Sequence, residues 1–99
     1  MGLFGAWLAK ARAQKKLTLE GVARLVGTEK GYISMITRGY CAPPSAKMVR
    51  KMAKVFETDV EDLLLRAWID KAPEEIRETL LFIFGPDLDV ENHGQARKK

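Results

Sequence analysis

The spacing of apolar residues is the feature that most constrains how this chain can fold. Phe4, Leu8 and Ala11, joined by Trp7, have the spacing of an amphipathic helix. Similar spacing recurs along the chain, and no stretch alternates apolar and polar residues with the period of two that a half-buried strand requires. The pattern predicts an all-α fold, with helices at about residues 3–15, 18–26, 29–38, 45–56, 59–67 and 73–85.

Residues with known terminal preferences support these boundaries. Three segments follow a side chain whose oxygen can accept from the free N–H groups of a first helical turn. These N-cap residues are Thr18, Ser45 and Asp59. Gly27 and Gly39 follow the second and third segments and can take the left-handed conformation that ends a helix. The prolines of YCAPP predict a loop, and Pro73 suits the first turn of the last helix.

Composition indicates one small globular domain in a reducing compartment. The chain has 99 residues, 46% hydrophobic and 30% charged, and its single cysteine, Cys41, excludes an intramolecular disulfide. No apolar run approaches the roughly 20 residues needed to span a bilayer. The first segment places its apolar residues before its basic ones, which is the wrong order for a signal peptide. We therefore expect a cytoplasmic protein.

Charge is distributed unevenly between the two halves of the chain. Residues 1–55 contain 11 Lys or Arg and 2 Glu, a net charge of +9. Residues 56–99 contain 6 Lys or Arg and 11 Asp or Glu, a net charge of −5, and the two halves sum to the +4 of the whole chain. A basic half suits a polyanionic partner such as nucleic acid or a membrane surface, although a solvated face is the simpler alternative.

The second and third helical segments fit the pattern of a helix-turn-helix. This motif needs a small residue where the helices cross, a residue that tolerates left-handed geometry at the turn, and apolar anchors on both helices. The positions are occupied by Ala23, by Gly27, and by Val22, Val26, Ile33 and Ile36, respectively. All six positions satisfy these requirements together, which a random helical hairpin rarely achieves.

Residues 4–64 resemble the helix-turn-helix domain of the phage-repressor family, also called the Cro/C1-type or XRE family. The segment LTLEGVARLVGTEKGYISMITRG is similar to that family's core, above all at Gly27, Tyr32-Ile33-Ser34, Ile36 and Arg38-Gly39. The following loop, the helix KMVRKMAKVF and the closing DVEDLL keep the family's order. The resemblance implies a compact bundle of about five helices that binds double-stranded DNA as a dimer, with the third helix in the major groove. It leaves residues 72–99 unexplained.

The resemblance implies that the outward face of the third helix reads base edges, because Ile33 and Ile36 are spaced to face inward. The candidate base-reading residues are Lys30, Gly31, Ser34 and Met35. Lys30 can donate to guanine, Ser34 can donate or accept, and Met35 can contact a thymine methyl group. Gly31 has no side chain, so either the backbone approaches the DNA closely there or that base pair is not read.

Two residues depart from the family pattern. Glu29 repels phosphate unless it caps the third helix or accepts from a cytosine amino group. Leu19 stands where a glutamine often bonds the phosphate backbone.

Phosphate contacts are expected from residues on and beside the two helices of the motif. The candidates are Arg12, Lys15, Lys16, Thr18, Tyr32, Thr37, Arg38 and Lys47. Neutralising about six phosphates per monomer gives a log–log salt slope of about −5. Two candidates have alternatives: Arg12 can pair with an acid inside the bundle, and Tyr32 can pack with only its hydroxyl exposed.

The sequence indicates no enzyme, no cofactor and no metal site. No nucleophile–base pair, glycine-rich phosphate loop or Cys/His cluster is recognisable, and His93 stands alone in a polar segment. The acids at 57–62 and 74–78 fall at helix starts, where they complement the helix dipole. Cys41 has no second cysteine to resolve an oxidised state, so a redox role is not expected.

Apolar residues after the helix-turn-helix region exceed what so small a core can bury. We expect Leu65, Trp68, Ile69, Ile76, Leu80, Ile83 and Phe84 to form a homodimer interface. The alternative is that the last helix folds back over the bundle. The corresponding division is a DNA-binding domain at residues 1–70, a C-terminal helix at 71–86 and a disordered polar tail at 87–99.

Together these features favour a transcription regulator that binds a roughly palindromic operator as a homodimer, on the nucleoid. Repression by occlusion is favoured because neither a ligand pocket nor an activation segment is evident. An alternative of a different class is an antitoxin or accessory module whose C-terminal helix grips a protein partner. A third is membrane-surface binding through the basic first helix, but its apolar residues are needed for the core, so no membrane partner is expected.

Overall fold

The computed structural model describes residues 2–88, which form six α-helices and no strand. The helices are α1 (Leu3–Gln14), α2 (Leu19–Val26), α3 (Lys30–Arg38), α4 (Ala46–Phe56), α5 (Val60–Lys71) and α6 (Glu74–Phe84), followed by a 3-10 turn at Gly85–Asp87. The all-α class is confirmed, and α5 continues beyond its predicted end to Lys71. Residues 89–99, with His93 and most of the predicted polar tail, lie outside the described residues.

The capping residues hold the helix ends as the sequence predicts. The side chains of Thr18, Ser45 and Asp59 each accept a hydrogen bond from a backbone N–H of the following turn, at 2.9, 3.3 and 3.1 Å. Gly27 and Gly39 both have φ of 78° where α2 and α3 end. These ends fix the short connection between α2 and α3.

The core is built around Trp7, which has no exposed surface. Its ring meets the rings of Phe4 and Phe56 edge to face, each at 5.4 Å between centroids. Leu8 is also fully buried, so the three large apolar side chains Phe4, Trp7 and Leu8 of α1 pack inside the protein. Within residues 2–88, no helix is both long and apolar enough to cross a membrane.

A tight crossing fixes α1 against the last turn of α3. A Cβ atom added at Gly5 would lie 2.6 Å from the Ile36 carbonyl oxygen and 3.1 Å from that of Thr37. Because those atoms belong to the backbone, a side chain at position 5 would push the two helices apart. The glycine thus sets how closely α3 docks on the bundle.

The first turn of α1 is capped by a residue that lies far from it in the sequence. Both carboxylate oxygens of Asp70, near the end of α5, accept from α1 backbone groups, with Leu3 N at 2.9 Å and Phe4 N at 2.8 Å. Gly2 itself supplies no capping side chain. The carboxylate satisfies two free N–H groups and complements the positive end of the helix dipole. This contact ties α1 to α5.

Helix α6 lies on α5 without burying any residue completely. The Phe84 ring packs edge to face on Trp68, at 6.3 Å between centroids. The chain then returns to α5, because Leu88 is buried and its carbonyl oxygen accepts from Nη2 of the fully buried Arg66 at 3.1 Å. Both α6 and the residues that follow it therefore cover part of α5.

Candidate nucleic-acid interface

The turn between α2 and α3 is held by backbone and by one lysine from α4. Thr28 N donates to Ala23 O at 2.8 Å, which closes the end of α2 around Gly27. Lys51 Nζ donates to Val26 O at 3.2 Å, so it satisfies another carbonyl group at the same helix end. Ala23 is buried at the crossing of the two helices, as the motif requires.

Helix α3 has one buried face and one open face. Ile33 and Ile36 are 0% and 3% exposed, and both belong to the core. The predicted base-reading residues lie on the other side: Lys30, Gly31 and Met35 are exposed and Ser34 is half-buried. The inward and outward positions follow the helical spacing of the sequence. The four predicted residues therefore form one continuous outward face.

Gly31 stands in open space on that face. A Cβ atom built there meets no heavy atom within 4 Å, so packing inside the protein does not demand a glycine. Glu29 is the N-cap residue of α3, but its side chain makes no capping hydrogen bond. The capping explanation for Glu29 is therefore not supported by the structure.

Three predicted phosphate contacts already hold partners inside the protein. Arg12 Nη1 donates to Leu17 O at 2.9 Å, so the partner of this arginine is a backbone carbonyl rather than an acid. The Thr18 hydroxyl accepts from Gly21 N and keeps its own proton for a further acceptor. The Thr37 hydroxyl instead donates to Ser34 O at 2.9 Å, which leaves it no proton for a phosphate.

Tyr32 packs against the core and keeps part of its side chain exposed. Burial, and secondarily the electrostatic interaction with Cys41, raises the pKa of the Tyr32 hydroxyl above its ordinary value. The hydroxyl therefore keeps its proton at neutral pH and can donate to a phosphate oxygen.

The remaining predicted phosphate contacts are exposed cations. Lys15 and Lys16 lie between α1 and α2, and Lys47 lies in the first turn of α4. The guanidinium carbon of Arg38 lies 5.5 Å from the centroid of the Tyr40 ring, a distance at which a cation interacts with an aromatic face. This contact orients Arg38 at the end of α3.

Two features of the site could not be read from the sequence. Lys51 lies 25 residues from the carbonyl group that it binds, and nothing local marks that pairing. Leu19, which stands in place of a glutamine, is half-buried and packs against the core. A leucine is thus accommodated by packing at the start of α2, and a phosphate contact is not available from its side chain.

The predicted interface residues of the C-terminal region divide into three groups. Trp68, Ile76 and Ile83 are 52%, 46% and 55% exposed, and Leu65, Leu80 and Phe84 are half-buried. Ile69, predicted to lie in an interface, has no exposed surface, because the core of the monomer encloses it. Phe82, not predicted for the interface, is 84% exposed.

The described residues show no arrangement suited to metal chemistry. Within residues 2–88, no group of three or more His, Cys, Asp or Glu side chains is placed to hold a metal ion. The chemistry that the structure does present is a helix with a polar outward face, flanked by exposed lysine and arginine side chains. Such a surface suits a polyanion whose bases present hydrogen-bonding edges, as nucleic acid does.

Helices α2 and α3, their glycine turn and their shared apolar anchors define a helix-turn-helix DNA-binding domain. A sequence profile of the helix-turn-helix family matches residues 8–63, more than half of the chain. The chain belongs to this family, in its Cro/C1-type (XRE) branch.

A curated relative supports this assignment. Over 79 residues, the chain is 35% identical to RghRB of Bacillus subtilis (strain 168), described as an uncharacterized HTH-type transcriptional regulator. The matched region covers 79% of this chain and 57% of that relative, so the chain spans little more than half of the relative's length. No solved structure matches the chain significantly.

Proposed function

We propose that this protein is a sequence-specific, double-stranded DNA-binding regulator of transcription, and that it represses by occupying an operator. The observation that carries the proposal is the outward face of α3, where Lys30, Gly31, Ser34 and Met35 lie together while Ile33 and Ile36 anchor the helix. The family assignment and the relative described as a transcriptional regulator support the same conclusion.

In this proposal α3 enters the major groove with its first turns against base edges. Lys30 donates to guanine, Ser34 bonds a base or a nearby phosphate, and Met35 contacts a thymine methyl group. Lys15, Lys16, Arg38 and Lys47 neutralise phosphates and fix the register of the domain on the duplex. No step requires catalysis or a cofactor.

We further propose that two copies bind together through the exposed apolar residues of α5 and α6. Ile76, Leu80 and Ile83 recur at helical spacing along one stripe of α6, and Trp68 adds a large exposed side chain from α5. The domain measures 35 × 33 × 21 Å, which is comparable to the roughly 34 Å between successive major grooves on one side of DNA. Two adjacent copies therefore suit a palindromic operator.

In vitro selection tests this function directly. Purified protein is mixed with fragmented genomic DNA at about 150 mM salt, where nonspecific binding is weak, and the recovered fragments are sequenced. We expect an inverted repeat with half-site centres about 10 base pairs apart. Recovery without any enriched motif would contradict sequence-specific binding and leave only nonspecific attraction to DNA.

A second candidate function is supported by Phe82. Its ring is 84% exposed and points away from the stripe of Ile76, Leu80 and Ile83, which are spaced along another side of α6. One homodimer contact would not cover both sides of so short a helix. In this second function the protein is an antitoxin or accessory module that binds another protein through α6. Co-purification of a stoichiometric partner from its native host would distinguish this function from that of a self-contained homodimer.

A further inference from the structure

A cleft of about 570 Å³ opens where several helix ends meet. It is bounded by the first turn of α1, the last turn of α3, the loop that follows α3, and the facing parts of α5 and α6. Its volume falls within the range of about 300–1,000 Å³ that is usual for small-molecule sites. No local pattern in the sequence indicated a pocket, because its walls come from five separate segments.

The inner walls of the cleft are apolar. Phe4, Ile36 and Ile69 line it from three different helices, and each is almost fully buried. Leu81 of α6 lines it as well and is 37% exposed, and the half-buried Leu3 and Pro43 add further apolar surface that a ligand can contact. An apolar ligand group in this position would remove both its own surface and the exposed part of Leu81 from water.

One wall of the cleft carries the guanidinium group of Arg77, whose hydrogen-bond acceptors are backbone carbonyl groups. Arg77 Nη2 donates to Ala72 O at 2.9 Å and, more weakly, to Asp70 O at 3.4 Å. Its Nε is buried and has no hydrogen-bond partner within residues 2–88. Neither carbonyl acceptor is charged, so within residues 2–88 no ion pair balances the charge of Arg77, and a carboxylate is the group that best complements a guanidinium.

The charges around the cleft also favour an anion. Asp70 is the acidic residue among those that line it, and both of its oxygens already accept from Leu3 N and Phe4 N. Lys71 lines the cleft too and places a second positive charge beside Arg77, although its Nζ donates to Pro44 O at 3.3 Å. The lining therefore presents two cations against one acid whose oxygens are occupied.

We propose that this cleft binds a small amphipathic carboxylate, with its chain against Leu3, Pro43 and Leu81 and its carboxylate on Arg77. The bound ligand regulates DNA binding, and this second part rests on the proposed function. Ile36 and Gly39, which line the cleft, form the last turn and the C-cap of α3. Because Gly5 leaves no slack between α1 and that turn, a ligand that moves either wall of the cleft also moves α3.

Cys41 gives a local readout of ligand binding. It is the single cysteine of the chain, it is half-buried, and it lines the cleft. Octanoate serves as the probe, and the rate of Cys41 alkylation by iodoacetamide is measured as its concentration rises. We expect saturable protection with a Kd of about 1 mM or tighter, and at least about tenfold weaker protection by 1-octanol, which lacks the charge. Absence of protection by octanoate would overturn the site, and equal protection by both would overturn its preference for an anion.

Two variants test independently whether the ligand binds in the cleft. Arg77→Gln removes the positive charge, and Ala42→Phe fills the cleft from the loop while leaving Arg77 in place. Each should weaken binding by about tenfold or more, as measured by calorimetry on protein that keeps the wild-type helical circular dichroism. Phe82→Ser, on the exposed part of α6, is the matched control and should bind as the wild type does. Loss of binding in Phe82→Ser with retention in Ala42→Phe would show that octanoate adheres to the apolar surface of α6, which would overturn the proposal.

The regulatory part is tested on the selected operator. Saturating octanoate should weaken operator binding by about fivefold or more, and the Ala42→Phe variant should not respond. Unchanged operator affinity with octanoate bound would overturn the regulatory role while the site stands. If the protein selects no operator, the proposed function fails, and the Cys41 and calorimetric measurements still decide the ligand site.

Discussion

In the proposed mode of DNA binding, two exposed lysines have different roles, one in reading bases and the other in attracting phosphate. Lys30 lies on the outward face of α3, and Lys16 lies in the connection between α1 and α2. Lys30→Ala should lower discrimination between operator and unrelated DNA by about 1–3 kcal/mol. Lys16→Ala should weaken binding to all DNA about equally and reduce the magnitude of the salt slope by about 1.

Competition titrations of each lysine variant on operator and unrelated duplexes, at several salt concentrations, measure both effects. The left-handed backbone at Lys16 is retained in the alanine variant, since both are L-residues with a Cβ atom. Equal discrimination by wild type and Lys30→Ala would remove Lys30 from the base-reading residues.

At Gly31, stability and DNA binding can be measured separately. Gly31→Ala should raise the free energy of unfolding by about 0.5–1 kcal/mol, because alanine favours the helix and its Cβ atom meets nothing within 4 Å. Chemical denaturation of the free protein checks this value. A stabilised variant with lower operator affinity would mean that the α3 backbone approaches the bases closely at this point. Unchanged affinity would mean that the base pair goes unread, and a destabilised variant would contradict the open space seen at position 31.

Helix α1 depends on a cap supplied from α5. Asp70→Ala leaves the N–H groups of Leu3 and Phe4 without their acceptors and should cost about 1–2 kcal/mol, which lowers the melting temperature by several degrees in a domain of this size. Asp70→Asn keeps one acceptor oxygen and should recover part of that loss. Thermal denaturation of both variants tests the contact, and an unchanged melting temperature in Asp70→Ala would show that the cap contributes nothing.

Helix ends show where prediction from sequence succeeded and where it could not. Gly27 and Gly39 mark the ends of α2 and α3 because glycine is the residue that takes positive φ without strain. Helices α1 and α4 end in the same left-handed conformation at Lys16 and Glu57, with φ of 56° and 53°. Neither residue signals such an end, because lysine and glutamate rarely adopt positive φ.

The buried elements were predictable because apolar spacing reports directly on which helix face turns inward. Trp7, Ile33 and Ile36 are buried as the spacing indicates. Long-range polar contacts were not predictable, since they depend on how elements meet. Arg66, whose Nη2 donates to Leu88 O, is fully buried although arginine is a residue type that is mostly exposed.

For the molecule as a whole, the proposed dimer depends on the exposed residues of α6. Ile83→Glu should shift the protein from dimer to monomer in sedimentation equilibrium, because a charge cannot be buried in an apolar contact without a partner. Leu25→Glu is a matched control, since Leu25 on α2 is exposed to the same 55% as Ile83. The control should remain dimeric.

Operator binding by the Ile83→Glu monomer should fall by at least about tenfold, because two linked half-sites bind more tightly than two independent ones. A wild type that sediments as a monomer both alone and on its operator would contradict the dimer. The exposed surface of α6 would then be available for a different partner.

The openness of the α3 surface also bears on how such a protein can change its target. A substitution at Lys30, Gly31 or Met35 displaces no core atom, while the frame that aims the helix is fixed by Gly5 and by the two buried isoleucines. In the proposed mode of binding, new operator preferences can therefore accumulate by mutation with little effect on folding. The same separation makes these positions suitable for a library of variants that share one scaffold and are selected for binding different DNA.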